Sequence, residues 1–159
     1  MKKIYILLLC LCVYQSCGSY FSAEQYTIHC SKMDFVRKVD SLKSAHHEYK
    51  WTVRNPDGTY EDSDGISTPF KSIGDDDLLH YNFTFYIPSE NKLFQCQIVP
   101  YNSLVSENEF TLVFSSVSDT TYRQVCSINT KELPKEENEK YKRLFETLIL
   151  ESLNVEWEK

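Results

Sequence analysis

Three segments between Leu79 and Phe114 carry an apolar residue at every second position, a period that suits a half-buried strand and no helix. Leu79, Tyr81, Phe83, Phe85 and Ile87 point one way, and His80, Asn82, Thr84 and Tyr86 the other. Pro88-Ser89-Glu90-Asn91 turns the chain, after which Phe94, Cys96 and Ile98 continue the apolar face opposite Gln95 and Gln97. This spacing predicts a hairpin. Pro100 ends it, and Phe110, Leu112 and Phe114 then alternate with Thr111, Val113 and Ser115. Ser118-Asp119-Thr120 predicts a further turn, followed by a weaker strand through Tyr122, Cys126 and Ile128.

On both sides of these strands the period changes to that of a helix. Ser31 is an N-cap candidate with Asp34 three positions on, and Phe35, Val39 and Leu42 form one stripe, so a helix is expected over 32–46. Pro134 suits a first helical position, Glu136 and Glu137 suit the positive helix end, and Tyr141, Leu144, Phe145, Leu148 and Ile149 line one side through about residue 152. Tyr26-Thr27-Ile28 is read as a brief strand and Tyr49, Trp51 and Val53 as another, stopped by Asn55-Pro56-Asp57-Gly58. The segment from 55 to 77 is read as loop. The expected fold is α+β: an antiparallel sheet of four to five strands with an N-terminal and a C-terminal helix packed on one face. Asn82, Thr84, Gln95, Gln97, Thr111 and Ser115 would turn the other face to water. In outline this resembles cystatin-like and other small helix-on-sheet folds.

The N-terminus speaks to compartment. Lys2 and Lys3 precede an apolar run from Ile4 to Val13, ten residues where a helix needs about 20 to span a bilayer core. A short apolar run behind a basic start is a secretory signal. It leads to Tyr14-Gln15-Ser16-Cys17, which resembles the lipobox read by signal peptidase II, a small residue followed by the cysteine that receives the lipid. Tyr14 and Gln15 depart from the enterobacterial pattern, and the looser box is similar to that of Bacteroidetes lipoproteins. The resemblance implies a signal peptide over 1–16, a lipidated tether over 17–24 with the anchor on Cys17, and one domain over 25–159. Gly18 is not the Asp of inner-membrane retention, and 18–23 holds no acid of the kind associated with surface export, so the resemblance implies the periplasmic face of the outer membrane.

Removal of 1–16 leaves 15 basic and 23 acidic residues, a balance of −8 that disfavours nucleic acid and anionic lipid as binding partners. Cys30, Cys96 and Cys126 then remain beside Cys17 and permit at most one internal disulfide, far from a disulfide scaffold. Were the strands of Cys96 and Cys126 separated by one other strand in a meander, those two thiols would lie too far apart to join.

Acid is concentrated in one place. Asp57, Glu61, Asp62, Asp64, Asp75, Asp76 and Asp77 face only Lys71 within 55–77. Such a segment suits a cationic protein partner, a Ca²⁺ ion or plain solvation. Tyr60-Glu61-Asp62-Ser63-Asp64-Gly65 spells part of an EF-hand loop, but Tyr60 stands at its first ligand position and Lys71 at its bidentate one. The four histidines, His29, His46, His47 and His80, lack metal-site spacing, and no cofactor, phosphate-loop or nucleophile-elbow motif is present. The expectation is a non-enzymatic binding module anchored to the membrane by lipid, with a basic protein as partner, either an immunity protein or an accessory subunit of an envelope complex. The competing expectation is a metal-dependent hydrolase or Ca²⁺-binding protein built on the acidic segment.

Overall fold

The computed structural model describes the backbone of residues 23–54, 60–63, 70–71, 79–99 and 108–159, and the side chains of 23–50, 81–98 and 108–159. The chain is α+β. Its strands are β1 (Glu24–Ile28), β2 (Trp51–Arg54), β3 (Tyr60–Ser63), β4 (Phe70–Lys71), β5 (Leu79–Ile87), β6 (Lys92–Val99), β7 (Phe110–Ser118), β8 (Val125–Ser127) and β9 (Trp157–Glu158). Helix α1 covers Lys32–Ala45, and α2 covers Lys135–Phe145 before a π-type turn, Glu146–Leu150. Every strand pair is antiparallel. The main sheet runs β4-β5-β6-β7-β1-β9, with β8 also on β7, and β2 and β3 form a separate hairpin. Among the described residues no helix is long and apolar enough to cross a membrane.

The sheet is wider than the expected four to five strands because β1, β4 and β9 join β5, β6, β7 and β8. β1 is no peripheral piece. It pairs along its whole length with β7, Glu24 opposite Phe114 and Ile28 opposite Phe110, and its far end carries β9. β8 continues the same edge of β7, with Ser127 opposite Ser116 and Val125 opposite Ser118. β1 and β8 thus lie end to end along β7.

β7 also runs past Phe114, where the alternation of the sequence breaks. The register against β6 shifts between Gln95 and Cys96: Gln95 faces Ser116, Cys96 faces Phe114, and Ser115 is the extra residue of a β-bulge. The Ser115 hydroxyl donates to the Gln95 carbonyl at 3.0 Å, and Ser116 Oγ donates to Gln95 Oε1 at 2.6 Å. The bulge resets the phase, so Phe114 and Val117, three apart, both join the core. The weaker strand expected from Tyr122 begins only at Val125. Tyr122 stands in the turn before it, exposed and with φ 56°.

α1 is capped as its sequence implies, with Asp34 N–H donating to Ser31 Oγ at 3.1 Å. Phe35 meets Phe83 and Phe110 edge-on, with centroids 5.6 and 5.2 Å away. From α2, Tyr141 meets Phe94 at 5.6 Å and Phe145 stacks on Phe114 at 4.5 Å. Lys38 of α1 donates to the carbonyls of Leu153 and Asn154, satisfying backbone groups where the C-terminal helical segment ends.

The face opposite this core is not wholly wet. Leu93, Val113 and Ser118 are buried, although Leu93 and Val113 alternate away from Phe94 and Leu112. Ser118 Oγ finds no hydrogen-bond partner there. A buried hydroxyl without a partner costs about 1–3 kcal/mol of desolvation, and removing it returns that term. Ser118→Ala is therefore expected to be neutral or stabilising by about 1 kcal/mol in urea titrations. A clear destabilisation would mean that the hydroxyl is bonded in solution.

Candidate functional site

The structure brings few of the singled-out residues together. Cys17, Asp57, Asp64, Asp75, Asp76 and Asp77 lie outside the described residues. Glu61 and Asp62 stand on β3, opposite Val53 and Thr52 of β2. The reading of 55–77 as one loop is corrected here, since Tyr60–Ser63 and Phe70–Lys71 are strands. Extended backbone in a ladder is not the turning loop that the partial EF-hand spelling over 60–65 calls for. His80 is paired through its backbone opposite Phe70. His29 lies 3.4 Å from Glu109 and 3.9 Å from Glu158, and His46 lies 3.0 Å from Glu48. Among the described residues no three His, Cys, Asp or Glu side chains gather as a metal site would require.

The thiols follow the strand order. β7 separates β6, with Cys96, from β8, with Cys126, and Cys30, Cys96 and Cys126 are free cysteines. Complete burial pushes the Cys96 thiol far above its ordinary range, and partial burial raises that of Cys30, so neither is poised as a thiolate.

Among the described residues is a polar cluster that sequence reasoning missed. It lies where β1 begins, beside α2 and the chain end. Tyr26 OH donates to Glu146 Oε1 at 3.0 Å, and the same carboxylate oxygen is 2.7 Å from Lys159 Nζ. Lys159 and Lys142 each lie 3.5 Å from Glu24. Asn129 Nδ2 donates to Glu24 Oε2 at 2.8 Å, and Asn129 is fixed in turn by a double amide contact with buried Asn138. Trp157 closes over Tyr26 edge-on at 5.5 Å. Lys142 and Glu146, four apart, are neighbours on a helical surface by spacing alone. The contacts that Glu24 and Tyr26 make with Asn129, Lys142, Glu146 and Lys159 each span more than 100 residues.

The chemistry of this cluster is that of a clamp. Burial works to raise the Glu24 carboxyl, but the Asn129 hydrogen bond and the Lys142 and Lys159 charges outweigh it and hold the group below its ordinary value. Burial, then the Glu146 charge, pushes the Tyr26 hydroxyl far upward, so its proton stays in place. The hydrogen bond to Glu146 raises Lys159 against the opposing effect of burial. Glu24 therefore contributes stability above its ordinary value of 4.5 that is lost as pH falls through its lower folded value. Thermal melts from pH 6 down to about pH 3 should show a falling Tm, less steeply in Glu24→Gln. Parallel acid slopes in the two proteins would remove Glu24 from the account.

A second polar feature is an open cleft of about 300 Å³ lined by Asp40, Lys43, Ser44 and Lys50 at the end of α1. Lys43 is buried; its ammonium donates to the Thr84 carbonyl at 2.8 Å and lies 4.9 Å from the centre of the Phe85 ring. Its stem thus joins the core and its charge ties α1 to β5. No protein-family model, curated protein or solved structure matches the chain.

Proposed function

We propose that the chain is a lipid-anchored binding module of the cell envelope, held through Cys17 at the periplasmic face of the outer membrane and taking a basic protein as its partner. The observation that carries the reading is the order of the N-terminus: Lys2-Lys3, ten apolar residues too few to span a bilayer, then Ser16-Cys17. The acid excess of the mature chain, with seven carboxylates against one lysine in 55–77, suits electrostatic steering of a cationic partner. An immunity protein against a toxin delivered to the periplasm and an accessory subunit of an envelope complex are the two concrete forms of this reading. Its scaffold is an antiparallel sheet with Phe83, Phe94, Phe110 and Phe114 in its core.

Two changes to the full chain test the proposal. Cys17→Ala should move the protein from the membrane to the soluble fraction, because a helical run of ten apolar residues cannot hold it in a bilayer. Replacement of Asp75, Asp76 and Asp77 by Asn should weaken capture of a basic partner, most at low salt where the Debye length exceeds about 10 Å. Retention of Cys17→Ala in salt-washed membranes would refute the anchor. A partner captured equally by both chains would refute the acidic recognition, and stoichiometric metal in the purified protein would favour the metal-dependent alternative.

A further inference from the structure

We propose that the tip of the β7–β8 hairpin, with Tyr122 and Val125, is a membrane-contact site that rests in the lipid headgroup region of the bilayer carrying the Cys17 anchor. The inference rests on that anchor and adds how the domain stands on the membrane.

Strand register fixes the direction. β1 begins at Glu24, opposite Phe114, and β7 continues four residues beyond that level to Ser118 before turning. At about 3.4 Å per residue the hairpin projects roughly 13 Å past the start of β1, and the turn adds to this. The hairpin turn Pro88–Asn91 lies at the same end, since Ile87 faces Lys92 and Leu93 faces Ser118. Six Cα steps separate Cys17 from Ala23, so whatever course they take they reach at most about 22 Å. The anchor and the hairpin tip thus have similar reach from one point of the fold. A bilayer held within that reach meets the tip when the tether follows the direction of the hairpin.

The tip has the composition for it. The exposed large hydrophobics among the described residues are Met33, Tyr122 and Val125, and two of the three are here. Tyr122 is 42% exposed and Val125 50% exposed. A left-handed backbone, φ 56°, is costly for a bulky side chain, yet the turn enforces it at Tyr122. The Asp119 carboxylate accepts from Thr121 N–H, Arg123 N–H and the Thr121 hydroxyl, and Tyr122 N–H donates to the Asp119 carbonyl. The aromatic ring is therefore presented by a pre-formed turn and needs no ordering on contact. The two turns at this end carry no net charge, since 88–92 and 119–125 hold Glu90 and Asp119 against Lys92 and Arg123, so the tip itself adds no repulsion from anionic lipid. Tyr and Arg, each with an apolar body and a polar end, are residue types that settle at a headgroup boundary.

The test uses the lipid-modified full chain reconstituted into phosphatidylethanolamine and phosphatidylglycerol vesicles, with and without lipid brominated in its acyl chains. Tyr122→Trp and Val125→Trp each place an indole at the tip, and Met33→Trp places one beside Tyr81 at the opposite end of the sheet. Emission is compared with that of the parent chain, which carries Trp51 and Trp157. An indole seated about 5–10 Å into the boundary is within reach of the bromines, so the emission added by Tyr122→Trp or Val125→Trp should fall about twofold, with that of Met33→Trp unchanged. Proteins that co-sediment with vesicles but show no more quenching at the tip than at Met33→Trp overturn the contact and leave the anchor standing. Proteins that do not co-sediment overturn the anchor itself, and the contact with it.

Discussion

Phe145→Ala is expected to lower the stability of the domain by about 3–5 kcal/mol, the range for truncating a fully buried phenylalanine. Phe145 is the point at which α2 meets the centre of the sheet. Its ring lies 4.5 Å from that of Phe114 at an interplanar angle of 7°, and 5.6 Å from that of Tyr26. Tyr26 continues to Trp157 and Phe114 to Phe94, so one aromatic array joins β9, β1, α2, β7 and β6. Removing the ring takes away apolar burial and leaves a cavity in addition. Collapse around it is restricted on the sheet side, where β1 and β7 are paired over five residues, and on the helix side by the Tyr26 to Glu146 hydrogen bond. Leu144→Ala, at a partly buried neighbour on the same helix, should cost visibly less. Urea titrations at equal m-value would measure both. A loss at Phe145 no greater than at Leu144 would mean that the core refills, and that α2 is held mainly by its ion pairs.

The same array shows which parts of the fold a sequence discloses. Phe83, Phe85, Phe94 and Cys96 lie where apolar and polar residues alternate along β5 and β6, and their inward positions follow from spacing alone. Ser31, Asp34 and the Phe35-Val39-Leu42 stripe disclose α1 because capping and periodicity are local. Three other features are not local. The continuation of β7 beyond Phe114 is hidden because the bulge at Ser115 breaks the alternation that marks a strand. The place of β1 inside the sheet depends on a partner more than 80 residues later, and a five-residue strand carries no mark of which partner it takes. β9 has two residues and exists only because Thr27 and Ile28 present an edge.

Apolar residues in a turn mislead in a further way. Tyr122 reads as a strand residue, because sequence spacing registers hydrophobicity and not the backbone angle that lifts the ring out of the sheet. The candidate sites divide similarly. An acidic segment is visible as composition, whereas the Glu24, Tyr26, Glu146 and Lys159 cluster needs β1 to meet the C-terminal segment, more than 100 residues away, before Glu24 and Tyr26 acquire these partners. Charge patterns disclose how a surface attracts, and tertiary contacts decide which charges are already spent on holding the fold together.

Asn138→Leu is expected to cost about 2–4 kcal/mol, more than any surface ion pair of the clamp would contribute alone. Asn138 is a buried polar residue in the first turn of α2, and Pro134 before that helix offers no side-chain cap. Its Oδ1 accepts from the Asn129 N–H at 2.8 Å, and its Nδ2 donates to Asn129 Oδ1 at 2.9 Å. Asn129 holds φ 60°, a conformation that asparagine tolerates better than most residues, and it hands its own Nδ2 on to Glu24. A leucine at 138 keeps a branched outline but neither donates nor accepts. It leaves a partly buried backbone N–H and an amide oxygen at Asn129 without partners, the costly half of the hydrogen-bond balance. Asn129→Gly accepts the positive φ at no steric cost and removes the orphaned amide oxygen. In the Asn138→Leu background it should therefore be less damaging than in the parent, giving a coupling of about 1–2 kcal/mol in a double-mutant cycle. Denaturant titration of the four proteins checks this. Additive losses would show that the two amides act independently and that the junction of β8 with α2 is held by packing.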